Sequence, residues 1–408
     1  MRRSERANGV LDREHSVTTV EPAPAPPRVR RARRRWILFL AVPVLVLLAV
    51  AGTGVVVLAR VQSALDAKIQ RFGDPFAAIP AADRPAPAGA KAGAQAGAQA
   101  GAAAQSGSAG QTVTSGSNGG AVARPAAAAV AMNLLVFGSD SRISAGDPSQ
   151  WQAGAQRTDS IMFVHIPADR SKVFAVSIPR DSWVPIPGHG TAKINAAFSF
   201  GGPALAIRTV EQLTGVRIDH MLLTDFTGFA RITDLLGGVD VTVPETTHGD
   251  THGEGQNFTA GTHHMDGATA LSYVRQRYVL PGGDFDRVKR QQNWIRATLR
   301  TAAASGAVTD PVKLYDLLDA VAGAISTDSG FTIDAMRDLA LSLRHVGPGG
   351  VVFLTVPTQG TGWSPDHTQS IVLLDQATAS GLWSAARADA VDGWLASSGY
   401  QTLGTTVR

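Results

Sequence analysis

The run Trp36–Ala59 (WILFLAVPVLVLLAVAGTGVVVLA) constrains this chain more than any other feature, because its 24 residues include no charged side chain. At about 1.5 Å per residue, a helix of that length crosses a hydrocarbon core of about 30 Å with some tilt to spare. Pro43 is tolerated in such a helix. Arg28, Arg30, Arg31, Arg33, Arg34 and Arg35 stand immediately before the run, and only Arg60 closes its far side. That asymmetry predicts a cytoplasmic N-terminus and an extracytoplasmic remainder. A cleaved signal peptide has a shorter apolar stretch, and Arg60 to Arg71 (RVQSALDAKIQR) reads as a helical continuation. The expectation is therefore a retained single-pass anchor in the cell membrane.

Charge follows the same division. Residues 1–35 carry ten arginines against four acids, while the whole chain is only +4, so residues 36–408 are slightly acidic. The basic excess belongs to the tail, which is too short and too rich in Pro and Arg to fold into a DNA-binding element. No nucleic-acid partner is expected. The chain has no cysteine, which excludes a disulfide framework, a thiolate metal site and a cysteine nucleophile.

Composition divides the chain into a basic tail (1–35), the apolar span (36–59), a juxtamembrane segment and linker (60–130), a folded domain (131–390) and a C-terminal tail (391–408). The linker core AGAKAGAQAGAQAGAAAQSGSAGQ offers nothing to pack. It reads as a tether that leaves the domain near the membrane and free to tilt. In the domain, apolar runs 133–137, 160–166, 172–178, 219–224, 239–243 and 351–356 read as strands. Segments 203–214, 226–236, 266–275, 285–304, 311–325, 331–345 and 371–389 read as helices. The pattern predicts one α/β domain, a mixed sheet with helices on both faces.

The strand order makes a geometric prediction. Strand 133–137 runs into FGSDSR, carrying Asp140 and Arg142, and the chain returns through QRTDS, carrying Arg157 and Asp159. A tight turn at 167–170 sends strand 172–178 back towards Arg180 and Asp181. If the three strands alternate, all three charged motifs meet at one end of the sheet. Mg²⁺ takes one or two carboxylates from a protein and completes its shell with water and phosphate oxygens. Arginine forks bind phosphate bidentately and keep their charge. Together these groups suit a pyrophosphate.

A second cluster, LSYVRQRYVLPGGDFDRVKRQQ, carries Arg275 and Arg277 before a Pro-Gly-Gly break. Asp284 is placed to cap the next helix. Arg287, Arg290 and Gln291 then share one helix face. Lys193 and Asn195 precede a Gly-rich helix start and could add a cation and an amide, with helix capping the equal alternative for Asn195. His248, His252, His263 and His264 lie in a polar, Gly-rich segment and read as an exposed loop rather than a zinc site.

In order, GSDSR, QRTDS, SIPRDSW, KINAAFSFGG, LLGGVDV, LSYVRQR and DFDRVKRQQ resemble the motifs of the LytR-CpsA-Psr family of bacterial cell-wall enzymes. The resemblance is strong over about residues 132–300. The Ala-, Arg- and Gly-rich composition, with six lysines, is similar to that of actinobacterial members. The resemblance implies a three-layer α-β-α sandwich with an apolar pocket for a prenyl chain. It also implies a phosphotransferase that moves a glycopolymer, such as teichoic acid, from a polyprenyl-pyrophosphate carrier to a peptidoglycan hydroxyl. In that scheme Asp140 and Asp159 hold Mg²⁺ (or Mn²⁺). Arg157, Arg180, Arg275, Arg277, Arg287 and Arg290 grip phosphates, with Gln291 nearby. Asp140, Arg180 and Asp181 are the catalytic candidates, Asp181 as a base or as the group orienting Arg180. Hydrolysis of the same pyrophosphate would need the same metal and arginines, and a non-catalytic lipid carrier or envelope regulator is the second alternative.

Overall fold

A computed structural model of the chain describes residues 63, 66–87, 130–139, 158–249, 256–306 and 311–404. Among them no helix is long and apolar enough to cross a membrane, and the run 36–59 lies outside the described residues.

The strands are β1 (Gln70–Arg71), β2 (Met132–Ser139), β3 (Thr158–Ile166), β4 (Val173–Ile178), β5 (Trp183–Ile186), β6 (Gly190–Lys193), β7 (His220–Asp225), β8 (Val239–Val243), β9 (Gly261–Met265), β10 (Ile325–Thr327), β11 (Val351–Thr355), β12 (Thr358–Trp363) and β13 (Ser370–Leu374). The described helices are α1 (Ala196–Thr214), α2 (Phe226–Leu235), α3 (Gly267–Arg275), α4 (Asp284–Ala304), α5 (Pro311–Ala322), α6 (Ile333–Ser342), α7 (Gln376–Arg387) and α8 (Val391–Ser398). Seven strands form one mixed sheet in the order β1-β10-β7-β2-β3-β4-β11, and β5–β6, β8–β9 and β12–β13 are hairpins.

Period-two patterning explains why helices cover both faces of the sheet. Leu135, Phe137, Ile161, Phe163, Phe174, Val176 and Ile178 point one way, onto Ile207 and Val210 of α1 and Leu382 and Trp383 of α7. Phe163 meets the Trp383 ring edge-on at 5.4 Å. The intervening residues Val136, Met162, Val164 and Ala175 face the other way, onto Ile295 of α4. On that face Gln292 of α4 donates to Ser177 Oγ (2.9 Å) and to the Leu354 carbonyl (3.0 Å). A third core joins β8, β9, α3 and α4 through Val241, Met265, Tyr273 and Trp294.

The folded unit is wider than 131–390 at both ends. β1 adds to the sheet edge by pairing with β10, and Arg71 donates to the Phe331 carbonyl at 3.1 Å. Phe76 and Ile79 pack with the main core. Arg84 forms a buried ion pair with Glu211 at 2.8 Å. Residues 70–84 are therefore part of the domain, not juxtamembrane linker, and the Ala/Gly-rich stretch after Pro87 connects two parts of one fold. At the other end, Val391 of α8 is in the core and the Leu403 N–H donates to the Phe353 carbonyl at 2.7 Å. These contacts make residues 391–404 part of the domain rather than a tail. The helix expected over 371–389 begins five residues later, because Ser370–Leu374 pairs with β12 as a hairpin strand. The helix expected from 203 starts at Ala196 and kinks at Gly201–Gly202. Gly202 there adopts φ 62°, a value that favours glycine.

Asp219, just before β7, accepts the Asn133 N–H at 2.8 Å, and burial raises its pKa. A carboxyl raised in the folded state contributes most below its unfolded pKa of about 4 and loses that contribution as pH rises through the folded value. Asp219→Asn keeps the acceptor and removes the titration. The variant should gain melting temperature relative to the parent between pH 4 and pH 7; a pH-independent difference would contradict this.

Candidate functional site

Alternation of the three central strands is as the motif spacing requires. β2 and β3 are antiparallel with Ser139 opposite Thr158, and β3 and β4 are antiparallel with Ile161 opposite Ile178. The backbone positions that lead into Asp140, follow Arg157 and lead into Arg180 therefore lie at one end of the sheet. Asp140, Arg142, Arg157 and the side chain of Asp159 lie outside the described residues.

The Arg180-Asp181 corner is fixed by main-chain bonds from three directions. Ser182 N–H and Oγ both donate to the Pro179 carbonyl, at 3.0 and 2.7 Å. The Asn195 N–H donates to the Arg180 carbonyl at 3.2 Å, and the Val372 N–H of β13 donates to the Asp181 carbonyl at 2.9 Å. Such a corner holds its side chains without waiting for a ligand, which is the condition for electrostatic preorganisation.

Beside it opens a pocket of about 870 Å³, lined by Arg180, Asp181 and Lys193 on one side and Arg277, Asp284 and Phe285 on the other. Lys193 Nζ lies 3.1 Å from Asp181 Oδ1, and Arg180 Nε lies 3.8 Å from Asp181 Oδ2. Asp284 gathers three guanidiniums around one oxygen: Arg287 at 2.6 Å, Arg180 at 3.7 Å and Arg277 at 4.0 Å. Four cations thus face two carboxylates, leaving the described part of the site positive. Without an anionic ligand, Asp284 offsets repulsion among the arginines and holds their forks convergent.

Asp284 is the residue whose role the sequence misplaces. The cap position of α4 belongs to Gly283 (φ 53°), and Asp284 is the first helical residue. There its charge complements the helix N-terminus while its carboxylate turns to the arginines. The Pro-Gly-Gly loop permits this approach. A Cβ on Gly282 would stand 2.7 Å from the Asp286 carboxylate, which accepts the Gly282 N–H at 2.8 Å.

Other expected residues are placed differently. Arg290 is 4% exposed, and its guanidinium donates to Gln276 Oε1 (2.6 Å) and Thr247 Oγ1 (3.2 Å) and lies 4.5 Å from the Tyr273 ring centroid. It ties α4 to α3 and is not among the pocket-lining residues, nor are Gln291, which is buried, and Arg275, which is exposed. The shared helix face expected for Arg287, Arg290 and Gln291 is real, but it faces the interior, and only its first turn reaches the pocket side. Asn195 occupies the cap position of α1 without a side-chain capping bond and lines the pocket instead. The β12–β13 wall, through Thr361, Gln369 and Ser370, had no sequence signal beyond a Gly- and Thr-rich run. His263 and His264 sit on β9, bonded to the Thr259 carbonyl and to Asp240.

Among the described residues no group of three His, Cys, Asp or Glu is arranged to hold a metal ion. Asp140 and Asp159 follow directly on the paired residues Ser139 and Thr158, and Thr158 Oγ1 is buried without a hydrogen-bond partner. The carboxylates of Asp140 and Asp159 lie outside the described residues; by type they are hard oxygen donors, the kind a hard divalent cation takes.

Residues 94–387 match the model of the LytR_cpsA_psr family. The chain is 36% identical over 261 residues to the probable cell wall biosynthesis protein LcpB of Corynebacterium glutamicum, covering 62% of this chain and 61% of that protein. It is 33% identical to the cell wall biosynthesis protein LcpA of the same organism, over 60% of this chain and 53% of the relative. The polyisoprenyl-teichoic acid–peptidoglycan teichoic acid transferase TagU of Enterococcus faecalis is 34% identical over 52% of this chain and 65% of its own length. The chain thus spans between half and two thirds of these relatives. Among solved structures, a Streptococcus agalactiae protein superposes with a TM-score of 0.55 at 22% identity, over 64% of this chain and 88% of its own. Bacillus subtilis TagV superposes with a TM-score of 0.51 at 24% identity, over 66% and 98%. The structural matches show the shared α/β fold.

Proposed function

The chain belongs to the LytR_cpsA_psr family, and on that premise we propose that it is a membrane-anchored phosphotransferase. It would move a glycopolymer from a polyprenyl-pyrophosphate carrier onto a peptidoglycan hydroxyl and release polyprenyl phosphate. The observation that carries this reading is the convergence of Arg180, Arg277 and Arg287 on Asp284 beside the Asp181–Lys193 pair.

In the reaction, the acceptor oxygen bonds to the polymer-side phosphorus and the bond from that phosphorus to the bridging oxygen breaks. Charge then develops on the departing polyprenyl phosphate. Fixed guanidiniums match it without reorganisation, and phosphoryl transfer draws most of its acceleration from such positioning and charge. The phosphates exchange with Asp284 as the partner of the arginine forks. Asp181, held by Lys193 and by its own backbone, is the carboxylate placed to take the hydroxyl proton or to aim Arg180. Asp140 and Asp159 would hold Mg²⁺, which neutralises phosphate charge when bound. The apolar residues Phe200, Leu280, Phe285 and Ile371 of the pocket wall would take the first isoprene units.

The test compares release of polyprenyl phosphate from the lipid-linked polymer with and without peptidoglycan. The reading expects release to depend on acceptor, to stop with EDTA and to return with Mg²⁺. Acceptor-independent release would make the protein a hydrolase, and binding without turnover would make it a carrier.

A further inference from the structure

Helix α3 ends at Arg275, and the next residue is where the chain turns towards the pocket. The Gln276 N–H still donates to the Ser272 carbonyl, but its backbone has left the helix at φ −55° and ψ 131°. Side chains flanking an extended residue leave in the direction opposite to its own. Gln276 is 0% exposed, and accordingly Arg275 is exposed and Arg277 lines the pocket. The direction of Gln276 therefore sets that of both neighbours.

A closed set of hydrogen bonds holds Gln276 inward. Its Oε1 accepts from Arg290 Nη1 of α4 at 2.6 Å and from Thr247 Oγ1 at 3.1 Å, and its Nε2 donates to the Gln256 carbonyl at 2.6 Å. Two donors on one atom and a carbonyl on the other fix the amide's orientation, since a flip would set like against like on both sides. Arg290 Nη2 also donates to Thr247 Oγ1 at 3.2 Å. The Thr247 main chain exchanges two hydrogen bonds with Phe258, at 2.7 and 2.8 Å. The anchor thus draws on α4 and on the segment between β8 and β9, and none of its members is among the pocket-lining residues.

Beyond Gln276 the chain is held from the other side. The Arg277 carbonyl accepts the Leu280 N–H at 3.2 Å, and the Leu280 carbonyl accepts the Gly283 N–H at 3.0 Å. Two turns therefore lead from Arg277 to Asp284, whose Oδ1 lies 4.0 Å from the Arg277 guanidinium. Were α3 to run on by one residue, the departing side chains would turn by about 100° around its axis, and Arg277 would leave this line.

We propose that Gln276 is a positioning residue for the pocket: its buried amide, pinned by Arg290 and Thr247, ends α3 in the phase that presents Arg277 to a bound phosphate. This rests on the reading of Arg277 as a phosphate ligand, and it adds to the site a residue that touches no substrate. Arg290 then serves the pocket through Gln276 rather than by contact.

A double-mutant cycle on the full-length chain tests the proposal. Gln276→Leu keeps the bulk of the side chain and removes both polar atoms. With Arg277 present, it should lower acceptor-dependent release of polyprenyl phosphate by about 10–100-fold, the scale of a misplaced binding group. In an Arg277→Ala background the same change should alter release by less than about twofold, because the group it positions is gone. Melting temperature should fall equally in both backgrounds, since that loss belongs to the buried Arg290. Equal factors of release in the two backgrounds, or an unchanged rate in folded Gln276→Leu, would overturn the proposal. If Gln276→Leu does not fold, Thr247→Val carries the cycle by taking one donor from Oε1. Its loss should be about threefold and confined to the background that has Arg277; an equal loss in both, or none, overturns the proposal as before. Affinity of the same proteins for inorganic pyrophosphate, measured by calorimetry, separates this from the transferase reading. Affinity that falls with Gln276→Leu only when Arg277 is present, in a protein without acceptor-dependent release, keeps the positioning role and removes the transferase. Acceptor-dependent release with equal factors in both backgrounds does the reverse, and a parent that neither binds pyrophosphate nor transfers removes both.

Discussion

Replacing Arg180 with alanine is expected to lower acceptor-dependent release of polyprenyl phosphate by about 10²–10³-fold, the usual loss for one preorganised donor to a developing negative charge. The main chain of this corner is held by Ser182, Asn195 and Val372, and none of those bonds involves the guanidinium. Melting temperature should therefore stay close to that of the parent while turnover collapses. Arg180→Lys keeps the charge and loses the fork, so an intermediate rate separates charge from bidentate geometry. A rate within tenfold of the parent for the alanine variant, with the fold intact, would remove Arg180 from the phosphate site.

Glu211→Ala is expected to have the largest effect on stability. The Glu211 carboxylate is about 1% exposed and accepts from Arg84 Nη2 (2.8 Å), Arg84 Nε (3.2 Å) and the Ile218 N–H (2.9 Å). Removing it leaves a buried guanidinium and a buried N–H without that acceptor, a loss of about 3–5 kcal/mol. That is a large share of the 5–15 kcal/mol typical of a domain. Urea unfolding of the full-length chain followed by tryptophan fluorescence should show the midpoint fall without a change in slope. Arg84→Ala should fall comparably, and the doubly apolar variant Arg84→Met with Glu211→Leu should recover part of the loss. If Arg84→Ala changes nothing, residues 70–84 are a passenger rather than part of the folding unit.

The two experiments probe features with different legibility in the sequence. Arg180 is legible because the strand just before it, Val173–Ile178, is apolar but for Ser177 and joined to its neighbour by a tight turn; period, turn chemistry and antiparallel pairing are local. Lys193 and Arg277 followed from the same motif logic. Arg290 carried the same signal, but a helix face specifies only that residues are together, not whether they meet a pocket or another helix. Its guanidinium went to Gln276 and Thr247, which α3 and the segment after β8 bring beside it. Asp284 read as a cap, because Asp beside a Gly-rich break is a capping pattern, and its convergence with Arg180 spans a hundred residues of chain.

The sequence by itself determined the alternating central strands, the helices on both faces and the meeting at one sheet end of the strand ends that lead to the three charged motifs. Each follows from hydrophobic period and short turns, which act between near neighbours. Only the tertiary structure decided that β1 is a strand at all, since two residues have no period and gain their pairing from β10, some 250 residues away. It alone decided that Arg84 belongs to Glu211 and that Asp284 collects three arginines. Those outcomes depend on register and on buried charge finding its partner, and neither is written in the spacing of residues along the chain.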